Sequence, residues 1–107
     1  MEDNSASEKG FNARIFQCIE RALSTLGETA KVALIHQIAS QYNLRPDEIH
    51  ARPLEFIEHL HEILGDAGYS FIEKLIKREV KTEFHLTLEE AAPLQQVIAE
   101  ARKQFLS

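Results

Sequence analysis

The sequence predicts an all-α protein: a compact bundle of about five helices plus one short helical turn. Three observations carry that expectation. Apolar residues recur three and four apart through most of the chain, which is the spacing of one buried helix face. The β-branched residues share this spacing and never alternate, so no strand is predicted. Prolines and glycines stand where helices would begin and end, at Arg45-Pro46, Arg52-Pro53, Gly27 and Gly65.

Residues 1–9 (MEDNSASEK) hold no apolar residue beyond Met1 and Ala6, and predict a disordered tail ahead of one helical domain over 10–107. From Phe11 onward, Ile15, Cys18, Ile19, Ala22 and Leu26 fall on one stripe, and Gly27 ends this first helix. A second helix starts around Glu28-Thr29 and reaches Tyr42. Val32, Ile35, Ile38, Ala39 and Tyr42 share one face, with His36 at its edge. Asn43 suits the left-handed cap that follows, with Leu44 as an apolar latch.

Each proline presets φ near the helical value and has no N–H to lose, so it fits a first helical position. The residue before it is pushed toward extended geometry and ends what came earlier. Pro46-Asp47-Glu48-Ile49 therefore reads as a turn or short helix, with both carboxylates at its positive end. Pro53 to Leu64 reads as the next helix, burying Leu54, Ile57, Leu60, Ile63 and Leu64. Gly65 offers a left-handed stop. Asp66 can then cap a long helix over about 67–84, with Phe71, Ile72, Leu75, Ile76, Val80 and Phe84 inward and Tyr69 packed over the turn.

The last helix carries a conflict. Thr87-Leu88-Glu89-Glu90 has the form of a capping box, but Pro93 inside a helix starting there would remove a hydrogen bond. The helix either kinks at Pro93 or starts later, near Ala92. Leu94, Val97, Ile98, Ala101 and Phe105 form its stripe.

Composition narrows the function classes. The 107 residues suit a single domain, and 44% hydrophobic with 27% charged residues is ordinary for a protein with a packed core. The single cysteine, Cys18, excludes an internal disulfide and a cysteine-based zinc site, and its place on the apolar stripe predicts a buried thiol. No apolar run approaches about 18 residues and no signal-peptide pattern opens the chain, so a cytoplasmic placement is expected. A net charge of −5 argues against non-specific nucleic-acid binding.

Two charged stripes are the candidate contact surfaces. Glu55, Glu58 and Glu62, with His59, share the solvent side of one helix. Lys74, Lys77, Arg78 and Lys81 recur at the corresponding spacing on the next. Such a bipolar surface suits a protein partner, or a second copy paired acid to base across a two-fold axis. Ordinary solvated faces also carry such charges, and cations late in a helix answer its dipole. The basic face gives the alternative of a DNA-binding regulator using Lys74 to Lys81. Against it, the start of that helix, Gly68 to Glu73, contains no cation where recognition helices read bases.

Five histidines raise a third alternative, a metal or small-ligand site, since Glu55/His59 and Glu58/His61 could each chelate from one helix face. A single Glu-x-x-His falls short of the paired motifs of bundle-embedded metal centres, and no zinc-protease signature occurs, so no metal ligand or cofactor is expected. Gly65-Asp66-Ala67-Gly68 lacks the lysine and preceding strand of a phosphate loop, and no serine has a histidine and acid in a recognisable setting. No enzymatic activity is expected.

The segments Leu26-Gly27-Glu28, Tyr42-Asn43-Leu44, Arg52-Pro53-Leu54-Glu55-Phe56, Ile63-Leu64-Gly65 and Ile72-Glu73-Lys74-Leu75-Ile76 together form a pattern over about 26–80. It resembles a family of small archaeal helical domains, the Nitrosopumilus-type output domains of signal-transduction proteins. The resemblance implies a helical module that passes a signal by contacting a partner. It brings no reaction, cofactor or catalytic residue, and this chain adds the helix after Thr87. Taken together, the expectation is a non-enzymatic protein-interaction or signal-output module, able to pair with itself.

Overall fold

In the computed structural model, residues 2–106 are described, with the side chains of residues 2–6 and 46 excepted. Five helices follow one another: α1 (Glu2–Ser24), α2 (Glu28–Gln41), α3 (Pro46–Ala51), α4 (Pro53–Phe84) and α5 (Leu94–Leu106). No strand occurs among the described residues. The all-α bundle is as expected. No helix is long and apolar enough to cross a membrane among these residues.

The punctuation acts largely as its chemistry dictates. Pro46 and Pro53 open α3 and α4. The Arg45 N–H donates to Glu48 Oε1 at 2.8 Å, using a side chain to satisfy one of the donors left open at the start of α3. Asn43 adopts φ +54, and the Leu44 N–H reaches back to the Ala39 carbonyl at 2.9 Å while its side chain packs on the core. The same closure recurs after α4, with His85 at φ +56 and the Leu86 N–H on the Lys81 carbonyl at 2.9 Å. Within α4 the single residue with non-helical geometry is Gly65, at φ +75 and ψ 174, so the two expected helices are halves of one element hinged there.

Composition predicts a disordered tail over 1–9; Met1 lies outside the described residues, and α1 is assigned from Glu2. Glu8 of this segment pairs with Arg102, whose guanidinium lies 4.8 Å over the Phe11 ring. Two expectations need correction. The capping box at Thr87 does not form, because residues 86–93 are non-helical and α5 starts after Pro93. The Pro93 carbonyl accepts the N–H groups of Gln96 and Val97 at 3.0 and 3.1 Å, so the proline stands at the helix entrance, where its missing N–H costs nothing. Asp66 turns its carboxylate to His61 Nε2 at 2.8 Å rather than onto its own helix.

α1 packs chiefly on α4, which in turn carries α5. Ile15, Cys18, Ile19, Ala22 and Leu23 of α1 are sealed from solvent, as are Leu60, Ile76 and Val80 of α4 and Val97 and Ala101 of α5. Phe11 meets Phe84 and Phe105 at ring separations of 5.7 and 5.6 Å, joining α1, α4 and α5 in one aromatic cluster. Phe16, Leu23 and Phe56, which the stripes omitted, are buried, whereas Leu26, Val32, Leu54 and Phe71, which the stripes placed inward, are exposed.

Charged side chains seal the α1–α4 seam. Arg14 Nε donates to Glu83 at 2.6 Å, and Arg21 bridges Glu79 and Glu83 at 3.0 and 2.8 Å. Beneath them, burial pushes the Cys18 thiol up to about 11, so this is a structural rather than a reactive cysteine. Burial also tends to raise Glu83, but its hydrogen bond to Arg14 and the two guanidinium charges outweigh that and hold it below the ordinary 4.5. A carboxyl lowered in the folded state stabilises above its unfolded value, and that contribution is lost as pH falls through the folded value. Glu83→Gln is expected to cost about 1 kcal/mol at pH 7 and to flatten the loss of stability below about pH 4.5. Urea unfolding from pH 7 to 3 checks this; parallel curves for variant and parent would show that Glu83 carries none of the acid sensitivity.

Candidate functional site

The acidic stripe lies on the first half of α4, where Pro53 sets the helical phase. Glu55 is 3.7 Å from Arg52 Nη1, one turn earlier. Glu62 accepts the Tyr42 hydroxyl, which raises the tyrosine's pKa, and the Tyr42 ring stacks on His59 at 3.6 Å. Two of the three glutamates are therefore engaged within the chain, and Glu62 serves to dock the end of α2. Glu58 is exposed and has no hydrogen bond or ion pair among the described residues.

The basic stripe divides in a similar way. Lys77 Nζ donates to the carbonyls of Glu90 and Ala92 at 2.9 and 2.8 Å, and Lys81 Nζ to that of Leu88 at 3.2 Å. The connection over 85–93 makes no helix and needs donors for its carbonyls, and these lysines supply them. Both lysines are thus engaged within the molecule. Lys74 and Arg78 are exposed and have no hydrogen bond or ion pair among the described residues, beside a notch of about 50 Å³ that also takes in Glu90. Finding this division needed the path of the 85–93 segment over α4, which no local spacing reveals.

The histidines are dispersed. His50 lies 4.5 Å from the Phe16 ring, His59 is on Tyr42, and His61 is shared between Asp66 and a 4.3 Å stack on Tyr69. Neither Glu55/His59 nor Glu58/His61 grows into a ligand set. Among the described residues no three His, Cys, Asp or Glu side chains come close enough to hold a metal ion.

Two further features were not visible in the charge pattern. The first is a cleft of about 330 Å³ inside the α4 hinge. Glu58 and His61 come from the first half, Asp66 from the hinge, Tyr69 and Glu73 from the second half, and Gln95 of α5 closes one side. Tyr69 is 7% exposed, packed as expected, and burial with the nearby Glu73 charge pushes its hydroxyl up to about 12. The second is a largely apolar groove of about 400 Å³ where α2 meets α1 and α3, lined by Val32, Ile35, Ala39 and Ile49 and edged by Glu20, Lys31, His36 and His50. A shallower hollow over Thr29, Val32 and Ala33 continues it toward the start of the helix.

Compared with models of known protein families, with curated proteins and with solved structures, the chain gives no match.

Proposed function

We propose that this chain is a non-enzymatic protein-interaction module whose outward α2 face seats a second copy of itself. The mismatch between composition and burial in α2 carries this reading. α2 is the most apolar of the four long helices, and its apolar residues point nearly all round the axis rather than along one stripe. A helix of that kind is normally covered on every side. Here Ile38 is its one fully buried residue, while Val32 is 59% exposed.

A two-fold contact centred on Val32 is self-complementary. It lays the two grooves against each other and brings Glu28 of each copy beside His36 of the other. The resemblance of residues 26–80 to signal-output domains supports placing this contact in signal transduction.

Light scattering after size exclusion tests the reading, and the expected mass is twice 12.2 kDa. The dimer should persist between about 50 and 500 mM salt, because burial of apolar surface is not screened. Val32→Asp should give a monomer with unchanged helicity, since the side chain it replaces is exposed. A monomer at every concentration retires the proposal. A dimer lost in high salt or on Lys74→Glu with Arg78→Glu, but kept in Val32→Asp, moves the interface to the charged faces.

A further inference from the structure

We propose that the Phe71–Arg78 face of α4 docks an acidic segment of another protein that carries an apolar side chain. Among the described lysines and arginines, Lys9, Lys74 and Arg78 alone have no hydrogen bond, ion pair or ring contact. The chain has 17 acidic residues against 12 basic ones, so partners are not scarce. Two of these cations stand one turn apart on one helix. No acid lies three or four residues from either, where a helix would supply a partner. The acids next to them in sequence are directed elsewhere, Glu73 into the hinge cleft and Glu79 onto Arg21 at 3.0 Å. Lys74 and Arg78 are instead left four apart, a like-charge spacing that weakens a helix.

Phe71 supplies an independent observation. It lies three residues before Lys74 and seven before Arg78, on the same helix face, and is 54% exposed. Leu75, between them, is half-buried and packs on the core. Within the chain this strip leaves a ring in water and two charges uncompensated. A partner that brings carboxylates to the cations and an apolar side chain to the ring satisfies both, and aromatic residues with arginine are what protein interfaces favour.

The charge and shape select the partner. The notch beside the cations holds about 50 Å³, far below the roughly 300 Å³ of a small-molecule site, so the contact is a surface one. Glu90 shares the notch, but its carboxylate pairs with neither cation. Two free cations on a chain of net charge −5 make a poor footprint for a nucleic-acid backbone. They also fall short of the roughly four to eight that hold an anionic membrane. They match a short acidic segment, with the Arg78 fork able to take a carboxylate in two parallel hydrogen bonds. None of these residues lines the α2 groove or the hollow that continues it, so the surface is separate from the α2 contact.

Backbone amide NMR spectra are followed on adding a capped Glu-Glu-Leu-Phe-Glu-Glu peptide. Saturable shifts centred on residues 71–78 are expected below about 2 mM peptide at about 50 mM salt, and binding at least about fivefold weaker at 500 mM. Replacing the glutamates of the peptide by glutamine, or its Leu-Phe by Ser-Ser, should each cost about fivefold or more. So should Phe71→Ala, and separately Lys74→Gln with Arg78→Gln, all at exposed positions. Arg45→Gln with Lys103→Gln removes the same charge at positions that are 75% exposed and should stay within about twofold. Val32→Asp should bind like the parent whatever its oligomeric state. No saturation up to about 10 mM, parent affinity in either face variant, or an equal loss in the Arg45 and Lys103 control overturns the proposal. Tighter binding of a single-stranded oligonucleotide or of phosphatidylserine vesicles overturns it too, as do the same shifts on concentrating the protein alone, which would make the occupant a second copy.

Discussion

Phe11→Ala is expected to lower stability by about 3–5 kcal/mol, the largest effect of any single change proposed for this chain. The ring is 1% exposed and touches Phe84 of α4 and Phe105 of α5, with the Arg102 guanidinium over its face. Truncation removes the transfer energy of the ring, leaves a cavity that three helices cannot easily close, and forfeits the aromatic and cation contacts. Domains of this size have about 5–15 kcal/mol in all, so a large fraction is at stake. At roughly 4–8 °C per kcal/mol the melting temperature should fall by about 12 °C or more. Thermal unfolding followed by circular dichroism measures it. A shift of a few degrees would mean that α1 and α5 dock independently of this cluster.

Gly65→Ala should cost about 1–3 kcal/mol, for a reason of a different kind. A methyl group there would meet no atom within 4 Å, so sterics with the rest of the fold contribute nothing. The cost lies in the backbone: φ +75 with ψ 174 is a conformation that only glycine adopts readily. A chain that escaped by taking helical angles would straighten α4 and swing Tyr69 away from His61. The expected result is lower stability together with altered Tyr69 and His61 side-chain signals. D-alanine at the same position, whose favoured angles are mirrored, should restore both. Gly27→Ala, at φ +108 between α1 and α2, should show the backbone cost without the change at the hinge cleft. Equal stability of parent and Gly65→Ala would show that α4 tolerates both geometries.

The stripes illustrate how far local pattern reaches. Leu94, Val97, Ile98 and Ala101 are buried as their spacing predicts, because α5 presents a single face to α4. Val32 and Phe71 sit at equally good positions in their own helices and are exposed, since none of the described residues covers them. Spacing identifies a face able to be buried; a neighbour has to bury it. The charged stripes divide for the matching reason. Lys77 and Lys74 have the same local setting, and what separates them is that the carbonyls of Glu90 and Ala92 come to rest beside one and not the other.

The sequence by itself determined the helical class and several helix ends, at Pro46, Pro53, Gly65 and Asn43. These depend on the torsional limits of individual residues and their immediate neighbours, so they are written locally. Only the tertiary structure decided which charges remain available, that the N-terminal segment joins α1, and that Glu58, Tyr69 and Gln95 share a cleft. Each of those outcomes rests on groups far apart in the chain, such as Glu8 with Arg102 or Glu58 with Gln95. Their meeting is set by how whole helix faces exclude water together, which no window of neighbouring residues contains.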